Sequence, residues 1–174
     1  NTSSRSSGGE ITNNVVENNS QNGIFLDGPL EENDLTENTV SFNDLNGIVL
    51  GEGASNNTLR ENTANSNEDA PGQGTGIAIG AGSNDNKLID NTANFNGIYG
   101  IEVTAASTSN ELIDNDANNN GLFVAPLDVE PNEEHLGEPT LSELGAGIFL
   151  EGVSDNTLVD NTANDNSQTG ILLE

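Results

Sequence analysis

Any chemistry in this chain falls to carboxylates and amides. It holds 29 Asp and Glu residues against three Lys and Arg and a single His, with no Cys, Met or Trp. Two carboxylates can hydrolyse a glycosidic bond, one donating a proton while the other activates water. The acids placed for such work are Glu68, Asp69, Glu102, Asp128, Glu130, Glu133 and Glu134. All fall near one corner of the repeat set out below. His135, in Asn132-Glu133-Glu134-His135, is the chain's only imidazole. Acids are so frequent here that any cluster of them is weak evidence, and a lone His in this setting reads first as a surface residue. The lack of Cys excludes disulfides and thiolate metal sites.

A second acidic set is periodic: Glu37, Glu61, Asp90, Asp114 and Asp160. Like charges stacked at the strand spacing of about 4.8 Å repel one another. Ca²⁺ or monovalent cations between them are one remedy. A solvated ridge screened by salt is the plainer one. No other cofactor is implied.

These residues are positioned by a 24-residue unit written six times. It reads Asn-x-Leu-x-x-Asn-x-Ala-x-x-Asn, then three residues, then Gly-Ile-x-Leu. Ile11, Leu35, Leu59, Leu88, Leu112 and Leu158 form one apolar column. Val16, Val40, Ala64, Ala93, Ala117 and Ala163 form another. The Gly-Ile pairs start at Gly23, Gly47, Gly76, Gly100, Gly147 and Gly170. A fixed period of this length is the mark of a solenoid, whose units bury their apolar faces by stacking on neighbours. Such a core needs little apolar material, and 32% hydrophobic with 3% aromatic residues suffices.

Within the second unit, Asp34 to Glu37, Thr39 to Phe42 and Gly47 to Leu50 alternate with the period of a strand. Asn and Gly punctuate the corners, where left-handed backbone is expected. Three short strands per turn, each pairing with its equivalent one unit away, make an all-β parallel β-helix. Parallel crossovers favour the right hand. Three Asn columns recur, exemplified by Asn33, Asn38 and Asn43. Stacked amides can bond up and down such columns, and the second and third are expected to be structural ladders.

The Asn-x-Leu-x-x-Asn-x-Ala-x-x-Asn and Gly-Ile-x-Leu rows resemble the right-handed β-helix repeats of the pectate-lyase-like superfamily. They are most similar to the Asn-rich repeats of NosD-like and carbohydrate-binding or sugar-hydrolase (CASH) domains, from about Ile11 to Leu173. The resemblance implies the fold. For function it implies a range: lyases, hydrolases, epimerases, phage tailspikes and non-catalytic surface proteins. Lyases and epimerases of the family need a base and a cation to stabilise a carboxylate-bearing intermediate. The cations here are Arg5, Arg60, Lys87 and, when protonated, His135; Arg60 and Lys87 sit beside the Leu column, on another face from the loop corner. No family catalytic motif is present. A NosD-like copper role does not carry over without Cys, Met or more than one His.

The period breaks twice, at one corner. The three residues between the third Asn and the Gly become eight at 68–75 and twenty-six at 121–146. Insertions in repeat proteins gather on one face, often the binding face. The longer one contains Leu122, Phe123 and Val124 and is expected to fold back on the helix. Its landing place would be the outward stripe of the Gly-Ile-x-Leu strands: Phe25, Val49, Ala78, Glu102, Phe149 and Leu172. Cover by the loop or another subunit is the favoured reading of that stripe, and a sugar-stacking groove is the other.

Residues 1–9 read as a linker, and 10–174 as one β-helix domain. The final Gly170-Ile171-Leu172-Leu173-Glu174 ends on a strand, the expected form of a fragment or of a subunit whose ends pair with neighbours. A net charge of −26 excludes a nucleic-acid partner and disfavours anionic membrane surfaces. No segment is long and apolar enough for membrane insertion. The near absence of Lys reads as adaptation to high salt, where screening relieves self-repulsion. The function expected is a non-catalytic extracellular or cell-surface module, a fibre or spike presenting its side loop to glycans or protein partners. Self-association could run end to end or side by side. The alternative is a carbohydrate-active enzyme, a polysaccharide hydrolase, lyase or epimerase, with its site at the loop-bearing corner.

Overall fold

The computed structural model describes residues 7–68, 74–121 and 145–174. The described strands are short, most of three residues, and every pairing between them is parallel. Such strands cannot stand alone, so their order comes from stacking. The first sheet contains Glu10–Thr12, Asp34–Thr36, Thr58–Arg60, Lys87–Ile89, Glu111–Ile113 and Thr157–Val159, in chain order. The second contains Ile24–Leu26, Ile48–Leu50, Ile77–Ile79, Ile101–Val103, Ala146–Leu150 and Thr169–Leu173, also in order. A third column starts as the pair Val15–Glu17 and Thr39–Ser41 and continues as single bridges from Thr39 through Thr63, Thr92 and Asp116 to Thr162. The three-strand rung is therefore present, with its middle strand thinned to one pairing per rung.

The core is the expected set of columns. Leu35, Leu59, Leu88 and Leu112 are fully buried, as are Val40, Ala64, Ala93 and Ala117, and Ile48, Ile77, Ile101 and Ile148. On the N-terminal side, pairing with the next rung begins at Ser7 among the described residues. Ser7 bridges Glu31, and the Gly9 N–H donates to Asn33 Oδ1 at 3.0 Å.

All three Asn columns are ladders, including the first. In the second, the backbone N–H and the Nδ2 of Asn38 both donate to Asn62 Oδ1, at 3.0 and 2.9 Å. Asn62, Asn91 and Asn115 repeat the pattern. A buried amide is costly unless bonded, and here stacking supplies the bonds. Corner geometry departs from expectation in one respect. The left-handed residue is the one before each ladder Asn, not the Asn itself. Glu37, Glu61, Asp90, Asp114 and Asp160 have φ of 53 to 55°. The acidic column thus occupies a backbone hinge. Asp and Asn tolerate this conformation better than most residues.

The Gly before each Ile is a close approach between rungs. A Cβ on Gly100 would lie 2.7 Å from Ala93 O, Gly147 O and Ala117 Cβ.

Candidate functional site

The outward residues of the second sheet stand in register, with Ala78 beside Glu102 and Glu102 beside Phe149. Their exposure falls along the stripe. Phe25 is 53% exposed, Val49, Ala78, Glu102 and Leu172 are half-buried, and Phe149 is 7% exposed. Phe149 is covered in part by Tyr99, whose ring stacks on it at 4.6 Å and 22°. Ala146, Ile98 and Leu172 complete this outer cluster.

Glu102 lies at its edge. The Thr75 hydroxyl donates to Glu102 Oε2 at 3.5 Å, a long bond. Burial pushes the Glu102 carboxyl above its ordinary range; the Thr75 bond opposes this and the Glu151 carboxylate adds to it. Burial, then the charges of Glu102, Glu151 and Glu174, push the Tyr99 phenol up to about 12. Glu68, at the start of the first insertion, is also raised by burial. The cluster therefore joins a stacked aromatic pair, a carboxyl raised by burial, and a hydroxyl.

Tyr99 was not singled out by the sequence reading, although a signal existed. The residue before the Gly-Ile pair is Asn22, Asn46, Thr75, Tyr99, Ala146 or Thr169. Tyr99 is the only large ring in that column and the only Tyr in the chain. Of the predicted site residues, Glu102 and Phe149 come together here, and Val49 and Phe25 extend the stripe. Asp69, Leu122, Phe123, Asp128, Glu130, Glu133, Glu134 and His135 lie outside the described residues.

The described cations, Arg60 and Lys87, sit elsewhere. Arg60 Nε contacts Glu61 Oε1 and Lys87 Nζ contacts Glu111 Oε2, both at 3.0 Å, on the first sheet and its following corner. Asp34, Thr36, Glu37, Thr58, Arg60 and Glu61 line a shallow open depression there. The periodic acids Glu37, Glu61, Asp90, Asp114 and Asp160 are exposed. Among the described residues, no group of three or more acidic or imidazole side chains gathers to hold a metal ion.

The parallel rungs, ladders and buried columns define a β-helix, and the chain belongs to that family. The family model described as "right handed beta helix region" matches residues 2–127. No curated protein matches the sequence. Among solved structures, the chain is similar to the periplasmic alginate epimerase AlgG, with a TM-score of 0.57 and 18% identity over 94% of this chain. It is also similar to the A-module of the mannuronan C-5 epimerase AlgE4 from Azotobacter vinelandii, with a TM-score of 0.55 and 13% identity over 95% of this chain. The chain spans 39% of the AlgG chain and 55% of the AlgE4 module. Likeness at these identities shows the fold.

Proposed function

We propose that this chain is an extracytoplasmic carbohydrate-binding β-helix module, with its binding face on the outer surface of the second sheet. The observation that carries this reading is the meeting of the Tyr99–Phe149 stack with the half-buried Glu102 and Thr75, between the two insertion points. Aromatic rings set among a few polar groups are a usual make-up of a small-ligand site, and here Tyr99 and Phe149 are 8% and 7% exposed. The non-catalytic reading is supported by the placement of Arg60 and Lys87, which pair with acids of the first sheet and its corner rather than with this cluster. The acid excess suits a module working in concentrated salt. The periplasmic setting of the AlgG neighbour supports the extracytoplasmic location and no finer one.

One observation favours a second, enzymatic reading. Burial raises the Glu102 carboxyl above its ordinary range, the direction that suits a general acid, and the fold neighbours are epimerases. One experiment separates the two. The chain and its Tyr99→Ala variant are titrated against neutral and uronate oligosaccharides in about 1 M KCl, where charge repulsion is screened, and the sugars are then followed by proton NMR. Binding that Tyr99→Ala weakens, with unchanged sugar spectra, is the expected result. New anomeric or unsaturated-end signals would replace the first reading by the second.

A further inference from the structure

A different edge of the solenoid carries an aromatic pair of its own. The third corner leads from the thinned strand column into the second sheet. The residue before its ladder Asn is Asn18, Phe42, Ser66, Phe95, Asn119 or Asp165, and all six have φ between 53 and 58°. Asn, Asp and Ser are small polar residues suited to such a turn. Phe is a bulky residue for which this conformation is a strained outlier. Phe42 and Phe95 are also 58% and 55% exposed. Both rings are thus held against backbone preference and against burial, the pattern expected of a residue kept for contact with something else.

Their placement is regular. Phe42 N–H donates to Ser66 O at 3.1 Å, and Ser66 N–H donates to Asn94 O at 3.0 Å. The two Phe are therefore two rungs apart, or about 9.5 Å at the parallel-strand spacing. The small Ser66 lies between them. The corners carrying the insertions, after Asn67 and Asn120, have Ser66 and Asn119 at this position. Phe42 and Phe95 occupy corners that the sequence leaves short.

A file of amides runs alongside. Asn65, Asn94 and Asn118 each precede a hinge residue and are half-exposed. Their Oδ1 atoms accept the backbone N–H of Asn94, Asn118 and Asn164 at 2.7, 2.6 and 2.7 Å. Their Nδ2 groups find no acceptor among the described residues, which leaves donors beside the rings.

We propose that this corner is a second glycan track, in which Phe42 and Phe95 stack on alternate sugars of an extended, neutral β-1,4-linked chain while the Asn65, Asn94 and Asn118 amides donate to its hydroxyls. Alternate residues of such a chain present the same ring face, and their repeat is close to two rungs. Flat rings and hydroxyl acceptors match what the corner offers. The net charge of −26 disfavours an acidic polysaccharide. The inference rests on the reading of this protein as a glycan binder and adds a track separate from the Tyr99 cluster.

The test uses Phe42→Asn, Phe95→Asn and the double variant, with Tyr99→Ala as comparator. Each is titrated calorimetrically with neutral β-1,4-linked gluco- and manno-oligosaccharides of increasing length, and with an α-1,4-linked glucan as control. Affinity of the parent should rise once the ligand spans three sugars. Each Phe variant should bind about tenfold more weakly, and the double variant should lose the length dependence. Melting temperatures of the Phe variants should hold or rise, because Asn suits the hinge. Unchanged affinity in the Phe variants, with Tyr99→Ala impaired, would overturn this track and leave the proposed function standing. Equal affinity for the α-linked glucan would overturn the spacing argument and the proposal with it. A lowered melting temperature would make the Phe residues structural and overturn it as well. No glycan binding by the parent would remove both readings.

Discussion

The outer faces of the first and second sheets are built on the same rung and differ in chemistry. On the first, the outward residues include Glu10, Asp34, Thr58, Lys87, Glu111 and Thr157, and its charges meet water. The Lys87–Glu111 pair is 51% and 42% exposed at its side chains. On the second, one carboxyl stands in a row of apolar groups and has lost much of its water. The backbone pairing is equivalent, and the Asn ladders run between the faces. A β-helix thus separates what makes it fold from what its surface does, and each side can be altered alone.

The largest effect should come from the part both faces depend on. Asn91→Leu removes the acceptor of Asn62 and the donor to Asn115. Each orphaned buried group costs about 1–3 kcal/mol. Denaturant titration should show a loss of that size, accompanied by disturbance of both faces. A midpoint equal to that of Thr92→Ser would show that the column is not what unites them.

A smaller effect should be confined to the second face. The Glu102 carboxyl is raised in the fold, so its contribution is complete below the unfolded pKa and is lost as pH rises through the folded one. Glu102→Gln is neutral at every pH. Its melting temperature should exceed the parent's at pH 7, and the gap should close on acidification below the ordinary carboxylate range. A gap that widens in acid would mean that Glu102 is held as an anion and that the two faces are alike in charge. The smallest effect belongs to the first face. Lys87→Ala breaks an exposed pair worth about 0–1 kcal/mol, and a melting shift as large as that of Asn91→Leu would erase the contrast.

The sequence displayed the folding half of this contrast far better than the surface half. Leu35, Val40 and Ile48 recur at fixed distances because each must meet its own kind one rung away. The Asn columns recur for the same reason, so period alone exposed them. The hinge was misplaced by one residue because the ladder Asn is itself a good left-handed residue, while Glu37 and Phe42 are not obvious ones. Glu102 was found because it interrupts an apolar stripe. Tyr99 was missed because a ring in a turn obeys no period; its partner, Phe149, belongs to another rung and meets it only through stacking. Function on such a scaffold lies in departures from the repeat, where pattern reading has least to hold.

In each of the three ladders, the donors of one rung face the acceptor of the next, always in the same sense along the chain. Every rung therefore offers its upper neighbour what it receives from its lower one. A tandem duplication of one whole unit within the repeat would find both of its new interfaces already compatible. A duplication of any other length would have to eject the surplus at a corner. The gene for such a protein can lengthen by copying without inventing a contact.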